Sequence, residues 1–457
     1  MVGLILYGAI ENSKNKTPSD YFLSSEKVPW YVAMFSIVAT ETSVLTFISI
    51  PGIAYRGDWT FLQLSVGYII GRAIVCVVLL PSYFKNNIIS IYETIGVKFG
   101  SRIQKLASSI FLITRILADG IRFLATSVIL ESITGWSLFN SVLLIGIVTL
   151  TYSLLGGIKT IVWLDSIQFI LYLIGGISSI IFILINSSQS LPDILSSLNG
   201  EGKFKVLSFE GNPIFEPYYF LSALIGGIFL SLSSHGVDYM MVQRVLVTKD
   251  LNSARKAMIG SGVFVLIQFL IFLFAGSLIY YFYEGMTIQK DREFSTFIIS
   301  NIPTGLRGIL IAGILSAAMS TLSSSINSLA SSFAVDWLNK EVSLIQSKLI
   351  SLFWALLLIG MALIFDESDN AIIVIGLQIA SFTYGGLLGL FIVTKINLDL
   401  REGSILTGFI LSLIVVFYIK HLGISWTWFI LISTTTNIIA VLISNYFLSS
   451  LFKYDKE

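Results

Sequence analysis

The chain has 457 residues, 55% of them hydrophobic and 12% charged, and a mean hydropathy of +0.86. A soluble domain carries about 25% charged residues, so this composition excludes a soluble enzyme and describes a polytopic membrane protein. The formal net charge of +1 offers nothing to nucleic acid, and a single cysteine, Cys76, excludes internal disulfides and cysteine-based metal sites.

In chain order, residues 1–29 read as a truncated N-terminal helix and a cytoplasmic linker. The opening MVGLILYGAIE is too short to span and lacks the basic start and cleavage site of a signal peptide. Apolar runs of roughly twenty residues or more then mark spanning helices. They fall near 30–55, 60–84, 103–133, 137–155, 160–186, 218–245, 254–283, 304–334, 346–365, 371–394, 404–420 and 424–452. The connections are short, the longest being 187–217 and 284–303, so no nucleotide-binding domain interrupts the membrane part. One set of alternate loops, with Arg244 counted in it, holds 18 of the 28 Lys and Arg residues, and the opposite set holds 7. The first set is therefore cytoplasmic.

Two spans break the lipid rule. The first, AMFSIVATETSVLTFISIPGIAY, places Thr40, Glu41, Thr42, Ser43 and Thr46 at mid-depth. The sixth, IGGIFLSLSSHGVDYMMVQR, carries Gly226, Gly227, Ser231, Ser233, Ser234, His235, Gly236 and Asp238. Polar or irregular stretches persist in hydrocarbon only where they face a cavity, an ion or another helix. Paired interrupted helices in corresponding positions of two halves point to a transporter's central site. The eighth span adds Ser320, Thr321, Ser323, Ser324, Ser325, Asn327 and Ser328, more hydroxyls than close helix packing needs. Hard oxygen donors without His or Cys suit sodium better than zinc.

The third span carries Arg115, Asp119 and Arg122 on one helical face. Such charges pair. Read from the residues, they form a structural network of Asp119 with one arginine and Glu41 with another, Arg122. His235 reads as a helix-packing residue, Cys76 as a small buried hydrophobe, and Arg72, late in its span, as snorkelling to the cytoplasmic interface.

Four stretches, SIVATETSVLTFISIPGIAYRGDWTF, YSLLGGIKTIVWLDSIQ, DYMMVQRVLVTKDLNSARKA and LSAAMSTLSSSINSLASSFAVD, resemble the solute:sodium symporters, and within them the bacterial sialic acid carriers. The resemblance implies an all-α fold of the leucine-transporter type, an inverted repeat of five plus five helices with flanking helices. Its parts would be residues 30–186, an external loop 187–217, residues 218–394, and two C-terminal helices in 395–457. It further implies a first sodium site made by Ala39, Thr42 and Ala317 carbonyls with the Ser320 and Thr321 hydroxyls. A second sodium site would use Asp165 with Ser320, Ser323 and Ser324. For the solute it implies Ser43, Thr46, Phe61, Ser65 and Gln378, with Arg115 matching a carboxylate-binding arginine and Glu41 standing where those carriers place a hydroxyl.

The function expected is sodium-coupled import of a small polar organic solute, a sialic acid, sugar or other carboxylate or polyol, across the cell inner membrane by alternating access. The partners expected are the solute, sodium ions and the lipid bilayer, with no nucleic acid and no obligate protein partner. Proton coupling through Glu41 or Asp165 and a non-transporting receptor are the competing readings. An intramembrane hydrolase finds no HExxH in the chain.

Overall fold

In hydrocarbon a backbone must satisfy its own hydrogen bonds, so apolar runs of membrane length become helices. The computed structural model describes all residues except 1, 13–15, 25, 86–87, 291, 339–341, 365–369 and 455–457, and the side chains of 2, 4, 12, 45, 370–379 and 450–454 also lie outside the description. Every described regular element is a helix; a single bridge joins Val28 to Thr248.

The order is α1 (Val2–Asn12), α2 (Pro18–Leu23), α3 (Trp30–Glu41), α4 (Val44–Arg56), α5 (Gln63–Val78), α6 (Leu80–Lys85), α7 (Glu93–Phe99), α8 (Ser101–Thr134), α9 (Leu138–Asn186) and α10 (Leu191–Gly200). There follow α11 (Phe220–Gly236), α12 (Tyr239–Leu246), α13 (Leu251–Phe282), α14 (Glu293–Asn301), α15 (Thr304–Ser332), α16 (Leu344–Ile364), α17 (Asn370–Val393), α18 (Glu402–His421) and α19 (Phe429–Tyr454). Seven described helices are long and apolar enough to cross a membrane, nine if each bent pair counts as one span. The bent pairs are α3 with α4, at 66°, and α11 with α12, at 62°. They are the two runs whose polar middles set them apart in the sequence.

Helix α9 covers 49 residues, about 74 Å at 1.5 Å per residue, twice what a membrane needs. It divides at Gly157, whose φ of 66° and ψ of −164° suit glycine. A Cβ there would sit 2.7 Å from the Tyr21 carbonyl oxygen, so the division is also where α2 packs. Helix α5 lies directly on α11: a Cβ on Gly67 would stand 2.5 Å from the Leu224 carbonyl, and one on Gly227 2.4 Å from the Leu64 carbonyl. Backbone contact of this kind sets two helices close enough for polar groups on both to share one cavity. Helix α15 packs on α9, α8 and α3. All its side chains from Ser316 to Ser332 are buried, which is why a hydroxyl-rich helix is tolerated.

Two charges stand elsewhere than the loop reading put them. Arg244, counted among the cytoplasmic residues, is fully buried, as is every residue of α12. The bend after Gly236 carries the end of the sixth run into the protein instead of out to an interface. Arg72 is also fully buried and does not snorkel; it pairs with Glu41.

Candidate functional site

The site begins where α3 stops. Thr42 (φ −81°, ψ 107°) and Ser43 (φ −94°, ψ 169°) are extended, so the chain leaves the helix for two residues before α4 begins. The last carbonyls of α3 therefore lack the usual partner four residues on. Thr42 is held by its side chain: its Oγ1 donates to Gln268 Oε1 at 2.9 Å, and Gln268 Nε2 donates to the Tyr172 hydroxyl at 3.3 Å. In the sixth span the second helix is started by Asp238, which accepts from the Met240 amide at 3.0 Å. That N-cap makes the break locally favourable.

Against the first break lies a cavity of about 10 Å³ lined by Ala39, Thr42, Gln168, Phe169, Tyr172, Ser316, Ala317 and Ser320. It has room for one particle of about the size of a water molecule. Four of the five residues expected to hold the first sodium are on its wall, and Ser320 Oγ is buried without a hydrogen bond among the described residues. Thr321 is placed differently: its Oγ1 donates to the Ala317 carbonyl at 3.2 Å and it lines an adjoining small cavity instead. Among the described residues no group of three His, Cys, Asp or Glu side chains could hold a metal. The donor set is hydroxyl, carbonyl and amide oxygen, which fits a hard monovalent ion.

Asp165, the residue expected at a second ion, is fully buried. Its Oδ2 accepts from Ser36 Oγ at 2.8 Å and Thr40 Oγ1 at 3.4 Å, and lies 3.4 Å from Arg244 Nη2. Arg244 also bonds to Ser324 Oγ and the Met240 carbonyl. Ser323 Oγ is turned to the Ser320 carbonyl at 3.1 Å. A tethered guanidinium thus stands among the groups expected to hold a second sodium. The sequence carried a hint of it in an arginine ending a polar span, but loop counting assigned that arginine to the interface.

The solute-sized space is a cavity of about 370 Å³ lined by Glu41, Tyr68, Arg115, Arg122, Leu230, Ser234, His235, Met241, Ala380, Ser381, Tyr384 and Trp426. Glu41 pairs with Arg72, which also donates to Ser261 Oγ at 2.5 Å, and His235 Nε2 lies 3.5 Å from Glu41. The pairing of Glu41 with Arg122 is thus not found. Arg115 is engaged through both terminal nitrogens, by Asp119 at 3.2 Å, by Asp238 and by the Tyr384 hydroxyl at 2.9 Å, while its Nε has no partner among the described residues. Asp119 also accepts from Ser325 Oγ at 2.6 Å. Arg122 has a single contact in this network, to Asp119 Oδ1 at 3.4 Å, and its side chain is 25% exposed.

Of the residues expected to bind solute, Glu41 and Arg115 line this cavity, and Ser43 lines the adjoining small one with Asp119, Arg122 and Thr321. Phe61 packs on Tyr218 and Phe269, Ser65 is buried on α5, and Thr46 is half-buried on α4; none of the three lines either cavity. Gln378 lies on α17 with its side chain outside the described residues. Tyr68, Ser234, Ser381, Tyr384 and Trp426 were not singled out as solute residues. Tyr68 stands three residues after Ser65, the one signal that could have drawn attention to it.

A family profile, the sodium:solute symporter family, matches residues 21–391. The chain belongs to that family. Among curated proteins, the sodium/sialic acid symporter NanT of Aliivibrio fischeri is 30% identical over 335 residues, covering 71% of this chain and 65% of that protein. The sodium/sialic acid symporter SiaT of Proteus mirabilis is 28% identical over 444 residues, covering 92% and 88%. Among solved structures, a substrate-bound, outward-open sodium-coupled sialic acid symporter superposes with a TM-score of 0.88 at 25% identity, over 98% of this chain and 95% of that one. A closed nucleobase-cation-symport-1 family transporter shares the fold, with a TM-score of 0.61 at 14% identity over 95% and 96% of the two chains. The fold is the leucine-transporter type, and this symporter is a multi-pass membrane protein that couples solute movement to sodium.

Proposed function

We propose that this symporter imports an acidic, hydroxylated solute of the sialic acid type across the cell inner membrane, together with one sodium ion. The observation that carries the reading is Arg122. It lines the 370 Å³ cavity, its side chain is 25% exposed, and one contact to Asp119 occupies it, whereas the neighbouring Arg115 is enclosed by two carboxylates and a tyrosine. A guanidinium with unused N–H donors in a water-poor cavity favours a planar carboxylate. Tyr68, Ser234 and Ser381 offer hydroxyls around it, and Trp426 and Leu230 offer apolar surface, the mixture a sugar acid presents. The two sialic acid symporters among the relatives support the same class.

The sodium ion is placed in the small cavity between the break after α3 and α15, with Ala39, Thr42, Ala317 and Ser320 as its neighbours and Thr321 one position removed. Both cavities touch the same break: Glu41 closes one and Thr42 the other. Sodium at Thr42 fixes the break, and a fixed break fixes Glu41 and Ser43 for the solute. Reading Asp165 as the partner of Arg244 leaves one coupled ion. The two halves, 30–186 and 218–394, would each begin with a bent pair and alternate around these cavities. Uptake of labelled sialic acid into proteoliposomes holding the purified protein tests the assignment. Sodium-dependent uptake that unlabelled sugar acids compete with, and neutral sugars do not, is the expected result; competition by neutral sugars alone would overturn it.

A further inference from the structure

One side chain on the wall of the small cavity has both of its polar atoms without a partner. Gln168, on α9, is 2% exposed. Neither its Oε1 nor its Nε2 makes a hydrogen bond among the described residues. A buried amide left in this state is costly. Tyr152 stands beside it with its hydroxyl proton committed to the Met319 carbonyl at 3.1 Å, so it can only accept from the Gln168 amide and leaves Oε1 without a donor. Two more atoms nearby share the condition: Ser320 Oγ on the same cavity wall, and Asp165 Oδ1. Asp165 precedes Gln168 by three residues, so both project from one face of α9.

Ser320 stands beside Asp165 and can donate its proton there, as the Gln168 N–H can, which leaves the serine and amide oxygens facing the cavity with no donor. The amide oxygen and the serine hydroxyl oxygen are hard donors that suit sodium. The amide N–H suits the carboxylate oxygen that Arg244 leaves unoccupied. We infer that Gln168 is a ligand of the sodium ion in this symporter, its Oε1 turned to the ion and its Nε2 donating to Asp165 Oδ1. The inference rests on placing sodium in the cavity beside Thr42 and Ser320. It adds a side-chain oxygen from α9 to groups that come from α3 and α15. It also gives sodium a route to the buried ion pair: the ion orients the amide, and the amide orients Asp165, which holds Arg244 of α12. The first and sixth spans would then report the same ion.

The test uses the purified full chain and sodium chloride alone, so it does not depend on the solute. The sodium concentration giving half-maximal thermal stabilisation is read for the unmodified protein, Gln168→Leu, Gln168→Asn and Ser320→Ala, with choline chloride holding ionic strength constant. Gln168→Leu should raise that concentration about tenfold or more, the loss expected for one contact to a charge. Gln168→Asn, which keeps the amide but draws its oxygen back by one methylene, should raise it as well. An unchanged value for Gln168→Leu alongside a raised one for Ser320→Ala would remove Gln168 and leave the cavity as the sodium site. Unchanged values for both would remove the site as well. If Gln168→Leu does not fold, Gln168→Asn decides: a value equal to that of the unmodified protein would show an amide that does not touch the ion.

Discussion

Asp165→Asn leaves Arg244 as a guanidinium with no carboxylate, in a place where both side chains are fully buried. Removing one partner of a buried pair costs about 3–5 kcal/mol, because the other charge stays behind without compensation. Arg244 keeps Ser324 Oγ and the Met240 carbonyl, so the lower end, about 3 kcal/mol, is the expectation. Arg244→Met should cost a similar amount, since Asp165 then has no cation and only neutral donors such as the hydroxyls of Ser36 and Thr40. The double variant removes both charges together and should regain all but about 1 kcal/mol. Thermal unfolding of the purified protein and its three variants forms the cycle, and a coupling of about 5 kcal/mol between the two positions, the two single losses less that of the double, is the predicted outcome. The number of sodium ions per solute, from reversal potentials, should be the same in the double variant as in the unmodified protein. Full stability of Asp165→Asn with a reduced sodium stoichiometry would refute the pairing and restore Asp165 as an ion ligand.

Ser320→Ala combined with Thr321→Ala should abolish sodium-driven accumulation at normal expression, since one hydroxyl on the cavity wall and the one bonded to the Ala317 carbonyl are lost with no bulk added; uptake assays with a sodium gradient check this. Arg122→Lys should raise the KM for the acidic solute about tenfold, from losing one charged hydrogen bond, whereas Arg115→Lys should mainly lower the unfolding temperature through its buried network. Gly157→Ala should cost about 1–3 kcal/mol of stability, because alanine is strained at a φ of 66° and its Cβ meets the Tyr21 carbonyl; thermal unfolding measures it.

Seven described helices pass as spans by length and apolarity, and the bent pairs bring the number to nine; the expected run 103–133 forms α8 but carries Arg115, Asp119 and Arg122 and is not among them. The two breaks were legible by their polarity: Thr40 to Thr46 and Ser231 to Asp238 are too polar for lipid, and the structure bends the chain at both. What the sequence hid is pairing. Nothing along the chain says that Glu41 meets Arg72 and not Arg122, since the choice depends on how α5 packs on the end of α3. Arg244 was misplaced because a bend after Gly236 turns a span end inward, and a span end is where interface arginines are normally found. The expected sodium neighbours came together better than the expected solute neighbours. The former sit at a backbone break and on the helix beside it, while the latter depend on side chains from five or more helices.

The central claim is coupling of one sodium ion to a singly charged acid, and the most direct measurement is sodium-driven uptake of sialic acid into proteoliposomes at imposed membrane potentials. One sodium with one carboxylate carries no net charge, so uptake should require an inward sodium gradient, gain nothing from a proton gradient alone, and keep the same final accumulation whether the interior is at 0 mV or about −100 mV. A second sodium would carry one net charge, worth about 2.3 kcal/mol per 100 mV, and raise the attainable accumulation about 50-fold at the more negative potential. Accumulation that rises by that factor, or that proceeds without sodium, would contradict the account.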